Sequence, residues 1–118
     1  MISQELNETL TRTGPGTEAG EVMRRYWQPA ALVRLLGEDL VLFRDSEGEL
    51  GLIARGCPHR GADLCYGRLE DNGLRCPFHG WHFNRNGQCV EQPGEPEGSR
   101  MHEQIRTTSY LVIEKNGI

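Results

Sequence analysis

Short apolar runs separated by turn residues fill the middle of the 118-residue chain. Three such runs follow one another, with glycine- and acid-rich turns between them, and this pattern is typical of an antiparallel meander: Val33–Leu36, Leu40–Phe43 and Leu50–Ala54. Further on, Asp71-Asn72-Gly73 and Asn86-Gly87 are hairpin-turn signals. Thr107–Glu114 is rich in β-branched and aromatic residues, so we predict a closing strand there.

A helical pattern precedes the strands. Thr17–Trp27 follows a Gly-Pro-Gly break, begins with a residue suited to an N-cap, and is followed by Pro29, which would end a helix. We expect Val22, Tyr26 and Trp27 to face inward. The predicted fold class is therefore all-β with one short N-terminal helix.

Composition limits the classes of function. The length allows one domain, 1–118, and 15 glycines with 6 prolines make that domain rich in loops. The formal net charge of −4 argues against a nucleic-acid-binding domain. The chain has no apolar run near the ~18 residues that a membrane span needs, and its polar N-terminus lacks a signal-peptide core. We therefore expect a cytoplasmic protein without a nucleic-acid or membrane partner.

Cysteine and histidine occur together in two short units. Cys57-Pro58-His59 and Cys76-Pro77-Phe78-His79 each offer one thiol and one imidazole at a predicted hairpin tip. Two thiolates on one iron and two imidazoles on the other form the Rieske arrangement of a [2Fe–2S] cluster. The four predicted ligands are Cys57, His59, Cys76 and His79. A zinc site would use the same four residues. Zinc ligands are usually separated by about two to four residues, however, and only Pro58 separates Cys57 from His59.

Residues around these units have predicted supporting roles. Glycines allow the backbone to fold closely over a cluster, and aromatic rings can exclude water from it, although core packing explains the rings equally well. The predicted supporting residues are Arg60, Gly61, Phe78, Gly80 and Trp81. We expect Cys65 and Cys89 to be free, partly buried thiols, and His82 and His102 to lie at the surface.

Two longer stretches carry a family resemblance. Cys57–Leu64 and Cys76–Phe83 resemble the two halves of the Rieske motif in aromatic-ring-hydroxylating, Rieske non-haem iron oxygenases. Leu10–Ala30 and Arg34–Asp45 are similar to the N-terminal part of phthalate dioxygenase-type oxygenase components. The resemblance implies a Rieske fold of stacked antiparallel sheets, with cluster-binding loops within 55–85 and an N-terminal helical arm over 1–30.

The resemblance also implies a function. It is one-electron transfer from a reductase or ferredoxin, through a Rieske [2Fe–2S] cluster, to a mononuclear iron in the catalytic domain of a neighbouring subunit, within the catabolism of aromatic hydrocarbons. Beyond the predicted ligands only His82 and His102 remain, so we expect no site of two histidines and one carboxylate for oxygen activation. By itself the chain is then an electron-transfer domain rather than an oxygenase. Two alternatives stay open: a stand-alone Rieske ferredoxin, and a zinc-stabilised interaction module without a redox role.

Overall fold

The computed structural model of the chain describes residues 2–23 and 34–116. These residues fall into two compact units, Met1–Asp39 and Leu40–Ile118. None of the described helices is long and apolar enough to cross a membrane.

The described part of the first unit holds two helices. Helix α1, Gln4–Thr11, begins after Ser3, whose side chain accepts a hydrogen bond from the Leu6 amide. No helix was predicted from the residues of α1, although Leu6 and Leu10 stand four residues apart on one face of it; no residue of α1 is buried. Helix α2, Glu18–Met23, matches the first part of the predicted helix.

The prediction that Val22 of α2 faces inward is wrong. Val22 is 54% exposed, and among residues 18–22 only Gly20 is buried, so this part of the helix turns its glycine inward and its valine outward. The expectations for Tyr26 and Trp27 lie outside the described residues.

The predicted meander is confirmed. Strand β1, Arg34–Leu35, pairs antiparallel with the start of β2, Glu38–Arg44, and β2 pairs antiparallel with β3, Leu50–Ala54. The first turn is tighter than expected: Leu36 and Gly37 both have positive φ, so that Glu38 already belongs to a strand.

The second unit contains two antiparallel sheets. One is the sheet of order β1-β2-β3-β8, of which most of β2, all of β3 and β8 (Ser109–Tyr110) belong to this unit. The other has its strands in chain order: β4 (Arg68–Glu70), β5 (Gly73–Arg75), β6 (His82–Asn84) and β7 (Cys89–Glu91). Single 3₁₀ turns at Leu64–Tyr66 and Met101–Gln104 complete the elements. The all-β fold of stacked antiparallel sheets is confirmed.

The two predicted hairpin turns differ in length in the structure. Asp71 and Asn72 both have positive φ, as a two-residue type I′ turn requires. At Asn86-Gly87 the loop is one residue longer, since the Gly87 amide bonds to the Asn84 carbonyl and only Gly87 of this loop is left-handed. The side chain of Asn84 accepts hydrogen bonds from two later amides and holds this wider turn.

The closing strand is much shorter than predicted. Of the segment Thr107–Glu114, Ser109 and Tyr110 pair with β3. Thr107 instead donates its amide to the Gly87 carbonyl, 2.8 Å away, beside the other sheet. The segment changes partner within a few residues, and this limits the length of the ladder.

One apolar core joins the two sheets of the second unit. It takes side chains from both sheets and from the loops between them: Val41, Phe43, Ile53, Cys57, Leu64, Leu74, Cys76, Trp81, Phe83 and Cys89. Two of the predicted ligands therefore reach into the core from its edge.

Candidate functional site

The first Cys/His unit lies in a closed loop after β3. The Cys57 amide donates to the Ala62 carbonyl, and the Gly61 amide donates to the Cys57 carbonyl, both over 2.8 Å. An isolated antiparallel bridge between Gly56 and Asp63 closes the base of this loop. The first unit thus lies in a loop that a single bridge closes, whereas the prediction placed it at the tip of a hairpin.

The second unit, between β5 and β6, repeats the same hydrogen-bonded frame. The Cys76 amide donates to the Trp81 carbonyl over 2.8 Å, and the Gly80 amide donates to the Cys76 carbonyl over 3.1 Å. In both loops the cysteine bonds to the fifth residue after it and to a glycine four residues after it. Gly61 and Gly80 have φ near +75° at these matching positions, a conformation that only glycine adopts without strain.

The two cysteines lie side by side and are buried. Cys57 and Cys76 are 3% and 4% exposed, and both thiols are free. Burial is the main cause that raises the pKa of the Cys57 thiol, and the adjacent Cys76 thiol raises it further. The backbone amides of His59 and Arg60 face the Cys57 sulfur and act in the opposite direction. A bound cation would reverse this balance, since metal coordination deprotonates thiols.

The two histidine rings lie together, and both are more exposed than the two cysteines. The ring centroids of His59 and His79 are 4.6 Å apart at an interplanar angle of 68°. His59 is half-buried and His79 is exposed. The pKa of His59 is lowered by burial first, then by the charges of His79 and Arg60. Neutral imidazole is the form that ligates a metal.

The two aromatic residues of the second loop occupy different surroundings. Trp81 is 8% exposed, belongs to the core and stacks on His59 with centroids 4.2 Å apart. Phe78 is 64% exposed, and its ring centroid lies 4.3 Å from that of His79 at an interplanar angle of 64°. Trp81 thus covers one face of His59, while Phe78 lies beside His79 at the surface.

Sequence reasoning missed two arginines that brace these loops. Arg55 binds both carboxylate oxygens of Asp63 at the base of the first loop. Arg75 directly precedes Cys76, pairs with Glu70 and Glu91, and donates to the Gly80 carbonyl over 2.8 Å. The signal available in the sequence was an arginine one or two residues before each cysteine. The carboxylate partners of these arginines lie on other elements and are seen only in the structure.

The other histidines and cysteines lie apart from this pairing. His82 is 2% exposed, so its predicted surface position is wrong; its ring Nε2 lies 2.9 Å from the Glu70 carbonyl, which satisfies it inside the sheet. Cys65 is exposed and Cys89 is fully buried, so neither is the partly buried thiol predicted, although both are free. His102 is half-buried in the last 3₁₀ turn.

The site offers donors in two pairs. Over residues 2–23 and 34–116, no three His, Cys, Asp or Glu side chains converge on one ion position. A binuclear cluster with two thiolates on one iron and two imidazoles on the other needs only two ligands at each metal. Adjacent buried thiols below two adjacent, more exposed imidazoles fit that donor set.

Comparisons with known proteins agree with this chemistry. A family model described as "Rieske [2Fe-2S] domain" matches residues 19–110. The chain is 45% identical over 133 residues to the 5,5'-dehydrodivanillate O-demethylase oxygenase subunit of Sphingobium sp., a match that covers 100% of this chain and 31% of that protein. It is 39% identical over 130 residues to the phthalate 4,5-dioxygenase oxygenase subunit of Pseudomonas putida, covering 99% of this chain and 30% of that protein.

A solved structure gives the same picture in three dimensions. Dicamba monooxygenase bound to 3,6 dichlorosalicylic acid matches with a TM-score of 0.64 at 34% identity, covering 71% of this chain and 24% of that chain. The chain thus spans about a quarter to a third of the length of the relatives it matches.

Proposed function

Since the chain belongs to the Rieske [2Fe–2S] domain family, we propose that it relays single electrons through a cluster bound at the tips of its two loops. The observation that carries this proposal is the pairing of two adjacent buried thiols with two adjacent, more exposed imidazoles on loops of one shared frame. Cys57 and Cys76 would ligate the inner iron, and His59 and His79 the outer one.

The surrounding residues would each support this site in a definite way. When bound, the cluster supplies one-electron redox chemistry at a potential above that of four-cysteine clusters. The amides of His59 and Arg60 face the Cys57 sulfur and would stabilise its negative charge. Gly61 and Gly80 close the loops, Trp81 fixes the plane of the His59 ring, and Phe78 flanks His79 at the surface.

We extend the proposal to partners from the relatives, which are oxygenase subunits by name. A reductase or ferredoxin would supply the electron. The exposed histidine edge would pass the electron to a mononuclear iron, in a catalytic domain of a neighbouring subunit. We propose a cytoplasmic setting, supported by four free cysteines, and one domain over 1–118 with its cluster-binding segment at 55–85.

Spectroscopy of anaerobically purified protein tests the proposal. We expect iron and acid-labile sulfide in equal amounts, a visible spectrum that bleaches on reduction, and an EPR signal of Rieske type in the reduced state. Cys57→Ser should abolish all three, whereas Cys65→Ser, at an exposed thiol, should retain them. A colourless protein that holds stoichiometric zinc would overturn the proposal and support the interaction module.

A further inference from the structure

Arg75 occupies an unusual position for a charged side chain. It is the last residue of β5, directly before Cys76, and its side chain is only 11% exposed. Arg68 lies directly opposite on β4 and is 73% exposed, although it pairs with the same carboxylate, that of Glu70. A buried guanidinium is costly unless its donors are paired, so its surroundings need an explanation.

The guanidinium of Arg75 connects three different elements. Its Nε pairs with Glu70 on β4, and its Nη2 donates to Glu91 on β7 over 2.6 Å. Its Nη1 donates to the carbonyl of Gly80 over 2.8 Å, within the second ligand loop. The two carboxylates fix the plane of the guanidinium and thereby aim the remaining donor at the loop.

The Gly80 carbonyl is a sensitive point of that loop. Gly80 follows His79 directly and has φ +78°, and as a glycine it places little restriction of its own on the peptide after it. Its amide is already bound to the Cys76 carbonyl. Arg75 holds the Gly80 carbonyl, so the peptide groups on both sides of Gly80 are hydrogen-bonded. His79 therefore lies between two fixed points, Cys76 and the Gly80 carbonyl.

We propose that Arg75 is a positioning residue for the second ligand loop, which fixes the Gly80 carbonyl and so the placement of His79. This inference rests on the proposed cluster function. It assigns Arg75 no contact with the cluster and no role in electron transfer itself. Residues that orient metal ligands typically change metal affinity by about 10- to 100-fold when they are removed.

The experiment compares Arg75→Gln and Arg75→Lys with the matched control Arg68→Gln in the full chain. Three measurements are made on each protein: the EPR spectrum of the reduced state, the rate at which a chelator bleaches the visible spectrum, and the urea midpoint by circular dichroism. For Arg75→Gln we expect shifted or broadened EPR features and bleaching at least about tenfold faster than in the wild type. Arg75→Lys retains one charged donor and should give intermediate values, and Arg68→Gln should match the wild type.

The outcomes separate this inference from the proposed function. If the wild-type protein binds no cluster, both the proposed function and this inference are wrong. A wild-type cluster whose EPR spectrum and bleaching rate are unchanged in Arg75→Gln overturns the inference alone, even if the urea midpoint falls. If Arg75→Gln does not fold, Arg75→Lys is compared with Arg68→Lys. Identical EPR spectra and bleaching rates in that pair overturn the inference, and a change confined to Arg75→Lys supports it.

Discussion

At the residue scale, His59 and His79 set the charge of the proposed cluster site. Replacing a neutral imidazole by a thiolate adds one negative charge, so an electron is accepted less readily. We expect His59→Cys or His79→Cys, where the cluster is retained, to lower the midpoint potential by at least about 100 mV, given the gap between Rieske and four-cysteine clusters. Protein-film voltammetry measures this. His102→Gln is the control, and an unshifted potential in both cysteine variants would contradict the charge assignment.

A second prediction concerns Asp63, whose carboxylate is paired with Arg55 at the base of the first loop. The hydrogen-bonded Arg55 guanidinium is the main cause that lowers the pKa of Asp63 from 3.8 to about 2. A carboxyl with a lowered folded-state pKa stabilises the fold above its unfolded-state pKa, and this stability is lost as pH falls through the folded value. The contribution of Asp63 should therefore be complete above about pH 4 and fade between pH 4 and 2.

Urea unfolding from pH 6 to pH 3 tests this dependence. The difference in unfolding free energy between wild type and Asp63→Asn should stay constant down to about pH 4 and shrink between pH 4 and pH 3. Asp39→Asn, at a more exposed ion pair, serves as the control. A difference that stays constant over this range would show that the Asp63 charge does not stabilise the loop.

Single residues also show where prediction from sequence stops. The candidate ligands were identifiable because their spacing is local, Cys57 to His59 and Cys76 to His79. The burial of His82 was not predictable, because its ring forms a hydrogen bond with the Glu70 carbonyl only in the register that β4, β5 and β6 adopt. Arg75 was missed for the same reason, since its partners lie on two other strands.

At the element scale, the two Cys/His loops depend on left-handed glycines. A Cβ at Gly61 would meet no atom within 4 Å, so the cost of Gly61→Ala comes from the backbone alone and should be about 1–2 kcal/mol. Gly56→Ala, in the same loop, also meets open space but has no left-handed φ, and should change stability by less than about 0.5 kcal/mol. Urea unfolding of the two variants gives the comparison. Equal losses would indicate that Gly61 is not conformationally constrained.

The strands were predictable to the extent that pattern and turn chemistry agree. The meander from β1 to β3 and the hairpin at Asp71-Asn72 were predicted because apolar runs and turn residues point to the same result. Helix α1 was not predicted, and none of its residues is buried. The closing strand was overestimated because Thr107 bonds to a turn beside one sheet, whereas Tyr110 pairs in the other.

At the scale of the second unit as a whole, the segment around Thr107 ties its two sheets together. Thr107 bonds to Gly87 beside the second sheet, and Ser109 and Tyr110 pair with β3 in the first. The approach at Gly87 is so close that an added Cβ would lie 2.3 Å from the Thr107 carbonyl oxygen. The integrity of this unit therefore depends on the absence of a side chain at one turn.

The pair Gly87→Ala and Gly48→Ala tests this tie. Both glycines are left-handed turn residues, but a Cβ at Gly48 meets no atom within 4 Å. Both variants should lose the same amount of unfolding free energy from the backbone. Gly87→Ala should lose about 1–3 kcal/mol more, because its Cβ overlaps the Thr107 carbonyl oxygen. Thermal unfolding followed by circular dichroism measures the difference. Equal losses would mean that the Thr107 segment moves away without cost.

The contrast in burial among the four cysteines has a consequence for chemical labelling. Cys57, Cys76 and Cys89 are each less than 5% exposed, whereas Cys65 is open to solvent. A bulky maleimide added to the native protein should therefore attach once, at Cys65, and attach up to four times after unfolding. Intact-mass spectrometry reads this count directly, which gives a simple assay for the integrity of the fold around the two loops.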